Sequence, residues 1–291
     1  MNNILIFGNG YIMKSFIDLY KHKFNFITIN HDIYDINNPD YTKIDDLLIN
    51  KKVDIIIDSI CTLLPISNYN EKNINILNNN IKHVHYVNNL SRSLNVKHIL
   101  YLSSAGIIYD KKNTSEELYY NNINTLYGFL KIQSECIYKY YSSFNDYNIT
   151  ILRISNVYGN IKYHKSNDNG IINILLKNYK NDLRTTITKS NIHKNYIYIS
   201  DLCDVICNIM DYNEFECNFN IINVGSSYNY SINDIIKIIS KKYKLKLEYN
   251  DNKIFNNHEF NININKLYDI TFKNDYKSLE YIINTININE I

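Results

Sequence analysis

The sequence predicts an α/β protein built on a doubly wound parallel sheet, with a smaller C-terminal α/β lobe. Three observations predict it. An apolar run, Ile4 to Phe7, ends at Gly8-Asn9-Gly10 and passes into helical spacing from Tyr11 to Tyr20. Further apolar runs of strand length follow, separated by helical or polar stretches, which is the pattern of successive β-α-β units. At 291 residues the chain can bury one large core, or a core and an appended lobe, without disulfides or metal.

Taken in order, Phe24 to Ile29, Val53 to Ile57 and His98 to Leu102 read as the next strands, and Thr150 to Ile154 as another buried one. Thr125 to Phe144 reads as a long helix. Beyond Gly159 the pattern loosens: Lys162 to Gly170 is polar and is expected to form a mobile loop, and Ile171 to Tyr179 a helix. Ser200 to Met210 is expected to be a helix with Ser200 or Asp201 near its N-cap, and Phe219 to Val224 a strand that stops at Gly225. Both are expected to rejoin the sheet. A helix from Ser231 to Tyr243, a short strand near Leu247 and a final helix from Ser278 to Thr285 complete the pattern. The expected organisation is a first domain over residues 1–158, rejoined by about 195–228, and a second lobe from 159–194 and 229–291. No internal repeat or linker is evident.

A net charge of +2, from 31 basic and 29 acidic side chains, gives no electrostatic footprint for nucleic acid or an anionic membrane. The abundance of Asn, Lys, Ile and Tyr matches an AT-rich coding bias, so clusters such as Asn78 to Asn80 carry little information. Five cysteines, without paired metal spacing, fit reduced thiols and a cytoplasmic location, and no metal site is expected. Cys203 and Cys207, one turn apart, read as small apolar residues on a buried helix face. No apolar run reaches the length of a membrane span, and the N-terminus reads as a strand, not a signal peptide.

Gly8-x-Gly10 between a strand and a helix can bring backbone N–H groups and a helix N-terminus to a pyrophosphate. Tyr11 and Ile12 would begin that helix, while Met13 occupies the position of the motif's third glycine. After the second strand the chain reads Asn30-His31-Asp32. An acidic group there suits the ribose of NAD and a basic one the phosphate of NADP, so either cofactor remains open.

Tyr127-x-x-x-Lys131 places a phenol and an ammonium on one helix face, where the cation can lower the tyrosine's pKa and let it exchange protons with a hydroxyl. With 28 tyrosines, and 28 lysines once Arg92, Arg153 and Arg184 are set aside, about three such spacings are expected by chance. Three occur: Tyr127/Lys131, Tyr158/Lys162 and Tyr249/Lys253. Position selects the first, because Ser103-Ser104 precede it at the C-terminal end of a strand, where α/β proteins bind ligands.

On these residues the chain resembles an extended short-chain dehydrogenase/reductase of the nucleotide-sugar epimerase and dehydratase family, over nearly its whole length. Tyr101-Leu-Ser-Ser-Ala-Gly-Ile-Ile-Tyr109 is similar to the family's strand and serine segment, and Tyr127-Gly-Phe-Leu-Lys131 with Glu135 to its tyrosine helix. Ile151-Leu-Arg-Ile-Ser-Asn-Val-Tyr-Gly159, Asn195-Tyr-Ile-Tyr-Ile-Ser-Asp-Leu202 and Ile222-Asn-Val-Gly225 resemble later landmarks in the family's order.

The resemblance implies a Rossmann-type domain, NAD or NADP as cofactor, a nucleotide-sugar substrate and a homodimer through the tyrosine helix and its neighbour. It implies that Gly8 and Gly10 face the pyrophosphate, that Asp35-Ile36 lie beside the adenine at the end of a short strand, and that Asn80 belongs to the cofactor site. Tyr127 would be the acid/base, Lys131 would also hold the nicotinamide ribose, and Ser104 or Ser103 would orient the substrate oxygen. Asn156 would contact the sugar nucleotide. Lys194 stands where the family carries an arginine for a substrate phosphate, and supplies charge without a bidentate fork.

Two departures narrow the chemistry. The family's usual catalytic hydroxyl position falls on Ala105, and Ala105-Gly-Ile-Ile108 lacks the Asp-Glu pair that sugar 4,6-dehydratases use. The expected activity is therefore oxidoreduction at one carbinol, C4, by a nucleotide-sugar 4-epimerase. The alternatives are a 4-keto nucleotide-sugar reductase, suggested by the short interval from Asn30 to Asp35, and a non-catalytic cofactor-binding protein.

Overall fold

The computed structural model describes residues 1–61, 63, 74–108, 114, 116, 123, 125–163, 170–188, 190–250, 261–273 and 276–288. Most of the loop expected over Lys162 to Gly170 lies outside the described residues. The first elements are β1 (Asn3–Phe7), α1 (Tyr11–Tyr20), β2 (Asn25–Ile29), α2 (Thr42–Leu48), β3 (Ile55–Asp58), α3 (Ile74–Ser93), β4 (His98–Ser104), α4 (Ala105–Ile108), α5 (Leu126–Ser142) and β5 (Asn148–Ile154). There follow β6 (Asn156–Tyr158), α6 (Gly170–Lys180), β7 (Thr185–Ile187), β8 (Lys194–Tyr198), α7 (Ile199–Asp211), β9 (Phe219–Val224), β10 (Asn229–Tyr230), α8 (Ile232–Ser240), β11 (Leu247–Tyr249), α9 (Asn265–Thr271) and α10 (Leu279–Thr285).

Six strands form one sheet in the order β2-β1-β3-β4-β5-β9, with every pair parallel. The strands read as unbroken apolar runs because both faces are covered. Alternate residues go to opposite cores: Ile4, Ile6, Leu100, Leu102, Leu152 and Ile154 face one way, toward α1 and α7. Leu5, Phe7, Ile56, Ile99, Tyr101, Ile149 and Ile151 face the other, toward α3 and α5. The strand order reverses between β1 and β3, and such a switch opens a crevice at the strands' C-terminal ends. Smaller sheets, β10-β8-β6 and β11-β7, lie beyond it.

The long elements that the sequence pattern bounded lie within a few residues of it, α1 over Tyr11–Tyr20 among them, while the 20-residue α3 falls in a stretch to which the pattern gave no bounds. β9 joins the large sheet, while α7 packs against α1, which buries Cys203 and Cys207 as expected. Asp35 and Ile36, in contrast, sit in the turn after β2 and belong to no strand. The backbone there is held by Asx-type bonds, Asn37 N–H to Asp35 Oδ1 at 2.9 Å among them, and not by a ladder. No helix among the described residues is long and apolar enough to cross a membrane.

Buried His98 carries a pH-dependent part of this fold's stability. Its Nε2 lies 2.8 Å from Thr150 Oγ1, and burial pushes the imidazole pKa down to about 4. The unfolded chain, at ~6.5, binds a proton first, so stability is complete above that pH and is lost as the pH falls toward 4. At about 1.4 kcal/mol per unit the loss reaches ~2 kcal/mol by pH 5. Urea unfolding at pH 7 and pH 5 should show His98→Gln escaping most of that loss; equal losses in both proteins would assign it elsewhere.

Candidate active site

Two adjoining cavities occupy the crevice. The first is walled by the turn Gly8-Asn9-Gly10, Lys14, the end of β2 with Asn30 to Asp32, Tyr34 to Ile36, and Ser59 to Cys61 after β3. Gly8 has φ +91°, and a Cβ there would stand 2.8 Å from Ser59 Oγ, so the turn requires glycine. Gly10 has open space where a side chain would be, and as N-cap of α1 it supplies no side-chain acceptor. The first N–H groups of α1 therefore face the cavity, with the positive end of the helix dipole.

The second cavity shares Gly10, Ser59 and Cys61 with the first and continues past Tyr11, Ile12 and Met13 to the ends of β4 and β5. Ser103, Ser104, Tyr127, Lys131 and Asn156 all line it. Helix α5 begins beside it because Thr125 caps the first turn, its Oγ1 accepting from Gly128 N–H at 3.0 Å. Tyr127 and Lys131, one turn apart, then face the same way. The Lys131 ammonium lies 5.7 Å from the centre of the Tyr127 ring and 4.8 Å from that of Tyr101, and donates to the Leu102 carbonyl at 2.7 Å.

Burial pushes the Tyr127 phenol above its ordinary pKa, against the pull of the Lys131 charge and a hydrogen bond with Ser104. The sequence expectation of a net lowering is thus reversed in the protein alone, because desolvation outweighs the cation. Burial also opposes the charge on Lys131, but Tyr101, Tyr127, Cys61 and Asp58 outweigh it and its pKa rises. The amine stays charged.

The two serines part company. Alternation along β4 turns Ser103 inward, where its hydroxyl donates to Glu135 Oε1 at 2.5 Å, while Ser104 meets Tyr127. Glu135 is held in turn by Arg153, whose Nε lies 3.2 Å from both carboxylate oxygens and Nη2 2.7 Å from Oε2, with both side chains wholly buried. A second buried cluster lies beneath the site. Asp58, at the end of β3, accepts from Tyr138 Oη at 2.6 Å, and His83 Nε2 lies 3.1 Å from its Oδ1. Burial raises the Asp58 pKa, but His83, Tyr138 and Lys131 outweigh it and the carboxyl remains below the ordinary range.

Gly8, Gly10, Asn30, Asp35 and Ile36 come together in the first cavity, and Tyr11 and Ile12 in the second. Asn30 Oδ1 accepts from the N–H groups of Asp32 and Ile33, so it shapes the turn as well as lining the wall. Asn80 lines neither cavity. Its Nδ2 donates to Gln133 Oε1 at 2.9 Å and Ser134 Oγ at 3.0 Å, fastening α3 to α5. Lys194 is also absent from both walls; it opens β8, half-buried, and burial depresses its pKa. Asn156 donates from Nδ2 to the Asn195 carbonyl at 2.8 Å, bracing β6 against β8. Sequence reasoning passed over Lys14, Ser59, Cys61 and Ser155. Ser59 and Cys61 follow the end of β3, and the rule that selected Ser103-Ser104 would have found them.

The residues fit a dinucleotide. The first cavity offers an uncapped helix start and acidic Asp32 and Asp35 for ribose hydroxyls, while Asn9 Oδ1 is buried without a hydrogen-bond partner. Among the described residues no group of His, Cys, Asp and Glu could hold a metal ion.

A family model described as the NAD dependent epimerase/dehydratase family matches residues 9–225. Among curated proteins, a dTDP-D-glucose 4,6-dehydratase of Dictyostelium discoideum is 26% identical over 295 residues, covering 84% of this chain and 66% of that protein. A dTDP-4-dehydro-6-deoxyglucose reductase of Escherichia coli is 29% identical over 153 residues, covering 51% of this chain and 46% of its own length. The chain thus spans about half to two thirds of the relatives it matches. Among solved structures, the UDP-glucose 4-epimerase of Thermotoga maritima with UDP-glucose superposes with TM-score 0.82 at 16% identity, covering 97% of this chain and 96% of the other. That of Bifidobacterium longum with NAD+ and UDP gives 0.81 at 16% identity and the same coverage.

Proposed function

Because the chain belongs to the NAD-dependent epimerase/dehydratase family, we propose that it is an enzyme acting at one carbinol of a nucleotide-activated sugar, C4, as a nucleotide-sugar 4-epimerase. One observation carries the reading. Tyr127, Lys131 and Ser104 converge in a cavity that runs without interruption into the glycine turn and the uncapped start of α1. In this reading the ionised Tyr127 takes the proton of the sugar hydroxyl, and Lys131 stabilises the phenolate. Hydride exchange at C4, out to a ketone and back on the opposite face, is the chemistry that NAD would supply when bound by these residues. Tyr127 then gives its proton back to the oxygen, with Ser104 holding phenol and oxygen in line.

Gly8, Gly10, Tyr11, Ile12, Asn30, Asp35 and Ile36 would hold the dinucleotide, with Asn80 acting through the placement of α5. Asn156 would meet the sugar nucleotide, and Lys194, within a lobe formed by 159–194 and 229–291, its phosphate. Asp32 and Asp35 favour NAD over NADP, since a 2′-phosphate would meet their charge. Dehydration is disfavoured because α4, directly after Ser104, contains only Ala105, Gly106, Ile107 and Ile108, with no acid to drive elimination. The second reading, a 4-keto sugar reductase, is favoured by the reductase relative and the short interval from Asn30 to Asp35.

The test is incubation of NAD-loaded protein with nucleotide sugars as C4 epimer pairs. Interconversion without net NADH release is the expected result. Stoichiometric NAD(P)H oxidation by a 4-keto sugar would replace it with the reductase, and binding of NAD with no turnover across the panel would reject catalysis.

The five free cysteines fit a cytoplasmic protein. Phe129, Tyr140 and Phe144, on and just beyond α5, and Ile81 on α3 are exposed large apolar residues, which fits a homodimer through these helices. Sedimentation velocity at micromolar concentration should give a dimer, and a monomer there would reject this assembly.

A further inference from the structure

Ser155, the residue between β5 and β6, is the buried polar group of the second cavity that the proposed chemistry leaves unused. Its backbone N–H donates to the Val224 carbonyl at 2.8 Å, which fixes it against β9. The residue is only 7% exposed, it lines the cavity beside Tyr127 and Lys131, and its Oγ is buried with no hydrogen-bond partner. A buried hydroxyl without a partner costs free energy unless something binds it, so it marks where a ligand's polar atom belongs.

Its surroundings say which atom. Ile12, Met13, Leu102, Ile154 and Val157 give this part of the cavity apolar walls, in which Ser155 offers a hydroxyl. Ser104 pairs in register with Ile154, the last residue of β5, so Ser155 stands one residue beyond the strand end beside Ser104. The groups proposed to act on the sugar oxygen, Ser104 and Tyr127, already bond to each other. A dinucleotide laid from the glycine turn along the strand ends brings its nicotinamide over β4 and β5, against the sheet, and leaves the outer side of the cavity for the sugar. A flat, largely apolar ring bearing one amide matches apolar walls beside a buried hydroxyl that, unlike Ser103 in the same wall, has no protein partner.

We propose that Ser155 Oγ hydrogen-bonds the carboxamide of the nicotinamide and thereby fixes the rotation of the ring about its bond to the ribose, so that one face is presented to the sugar. The inference rests on the cofactor reading given above. It deepens it by giving a role to Ser155, which the segment from Ile151 to Gly159 contains but to which the sequence assigned none.

The test compares binding of NAD+ and of ADP-ribose, which lacks the nicotinamide, to wild type and Ser155→Ala by calorimetry without sugar. Ser155→Ala deletes a hydroxyl that has no protein partner, so the fold should be retained, and unchanged ADP-ribose affinity verifies this. One neutral hydrogen bond is lost, so NAD+ should bind about 3- to 10-fold more weakly to Ser155→Ala while ADP-ribose binds equally to both proteins. Equal weakening of both ligands, or of neither, overturns the proposal. So does unchanged NAD+ affinity with a raised KM for the nucleotide sugar, which would place the hydroxyl on the substrate. Failure of wild type to bind either ligand would reject the cofactor reading itself, an outcome separate from equal NAD+ affinity in the two proteins.

Discussion

Tyr127→Phe is expected to lower kcat by about 10²- to 10⁴-fold, the usual worth of a positioned acid/base, while NAD affinity changes less than about 2-fold. The reason is geometric. Phenylalanine keeps the ring in the cavity wall near Lys131 and removes only the oxygen that meets Ser104. The pH dependence adds a sign that a structural role would not reproduce. Burial raises the Tyr127 pKa and the Lys131 cation opposes that rise, so the fraction of phenolate, and with it sugar oxidation, should increase with pH. Removing the cation in Lys131→Met should carry the acid limb of the pH profile to still higher pH. A Tyr127→Phe enzyme that keeps half the wild-type kcat would end the proposed mechanism.

Arg153→Met is expected to destabilise the protein by about 3–5 kcal/mol, because it leaves the Glu135 carboxylate charged, fully buried and short of its donors. Glu135 also accepts from Ser103 and lies on α5 one turn beyond Lys131, so the loss should loosen the joint between β4, β5 and the tyrosine helix. Replacing both charges, as in Arg153→Met/Glu135→Leu, should recover a large part of the loss, since apolar groups of similar volume often match or exceed a buried ion pair. Chemical unfolding at pH 7 measures both. A single variant within 1 kcal/mol of wild type, on the order of an ordinary surface change, would mean that the pair contributes little.

Much of the site was legible in the sequence because its parts sit at the ends of strands that announce themselves as apolar runs. Gly8, Gly10, Ser104, Tyr127 and Lys131 could all be placed by asking which residues follow a strand or open a helix. The same logic did not separate Ser103 from Ser104, because both precede the turn. Alternation on β4 separates them, and which face holds Glu135 and Arg153 is a property of the assembled sheet. Short strands were missed for a related reason: β7 and β10, of three and two residues, are too short to show an alternating pattern and exist through pairing with distant segments.

Asn80 and Lys194 act at a distance from the two cavities. Asn80 fastens α3 to α5 and would serve the cofactor through the placement of α5, and Lys194 opens β8 outside both cavity walls, on the side of the second lobe. Charge was the harder quantity. Position in the chain singled out Tyr127 and Lys131 among three equal spacings, but the sign of the net shift on the phenol depends on how much water the fold removes from it.

The sequence by itself determined the doubly wound sheet, the glycine turn at its first strand and the pairing of a phenol with an amine, because periodicity and helical spacing are local. Tertiary structure alone decided which serine meets the phenol, how burial weighs against the lysine, and that Ser155 lines the cavity with no protein partner. Those outcomes depend on solvent exclusion and on contacts between segments distant in the chain, which no local pattern encodes.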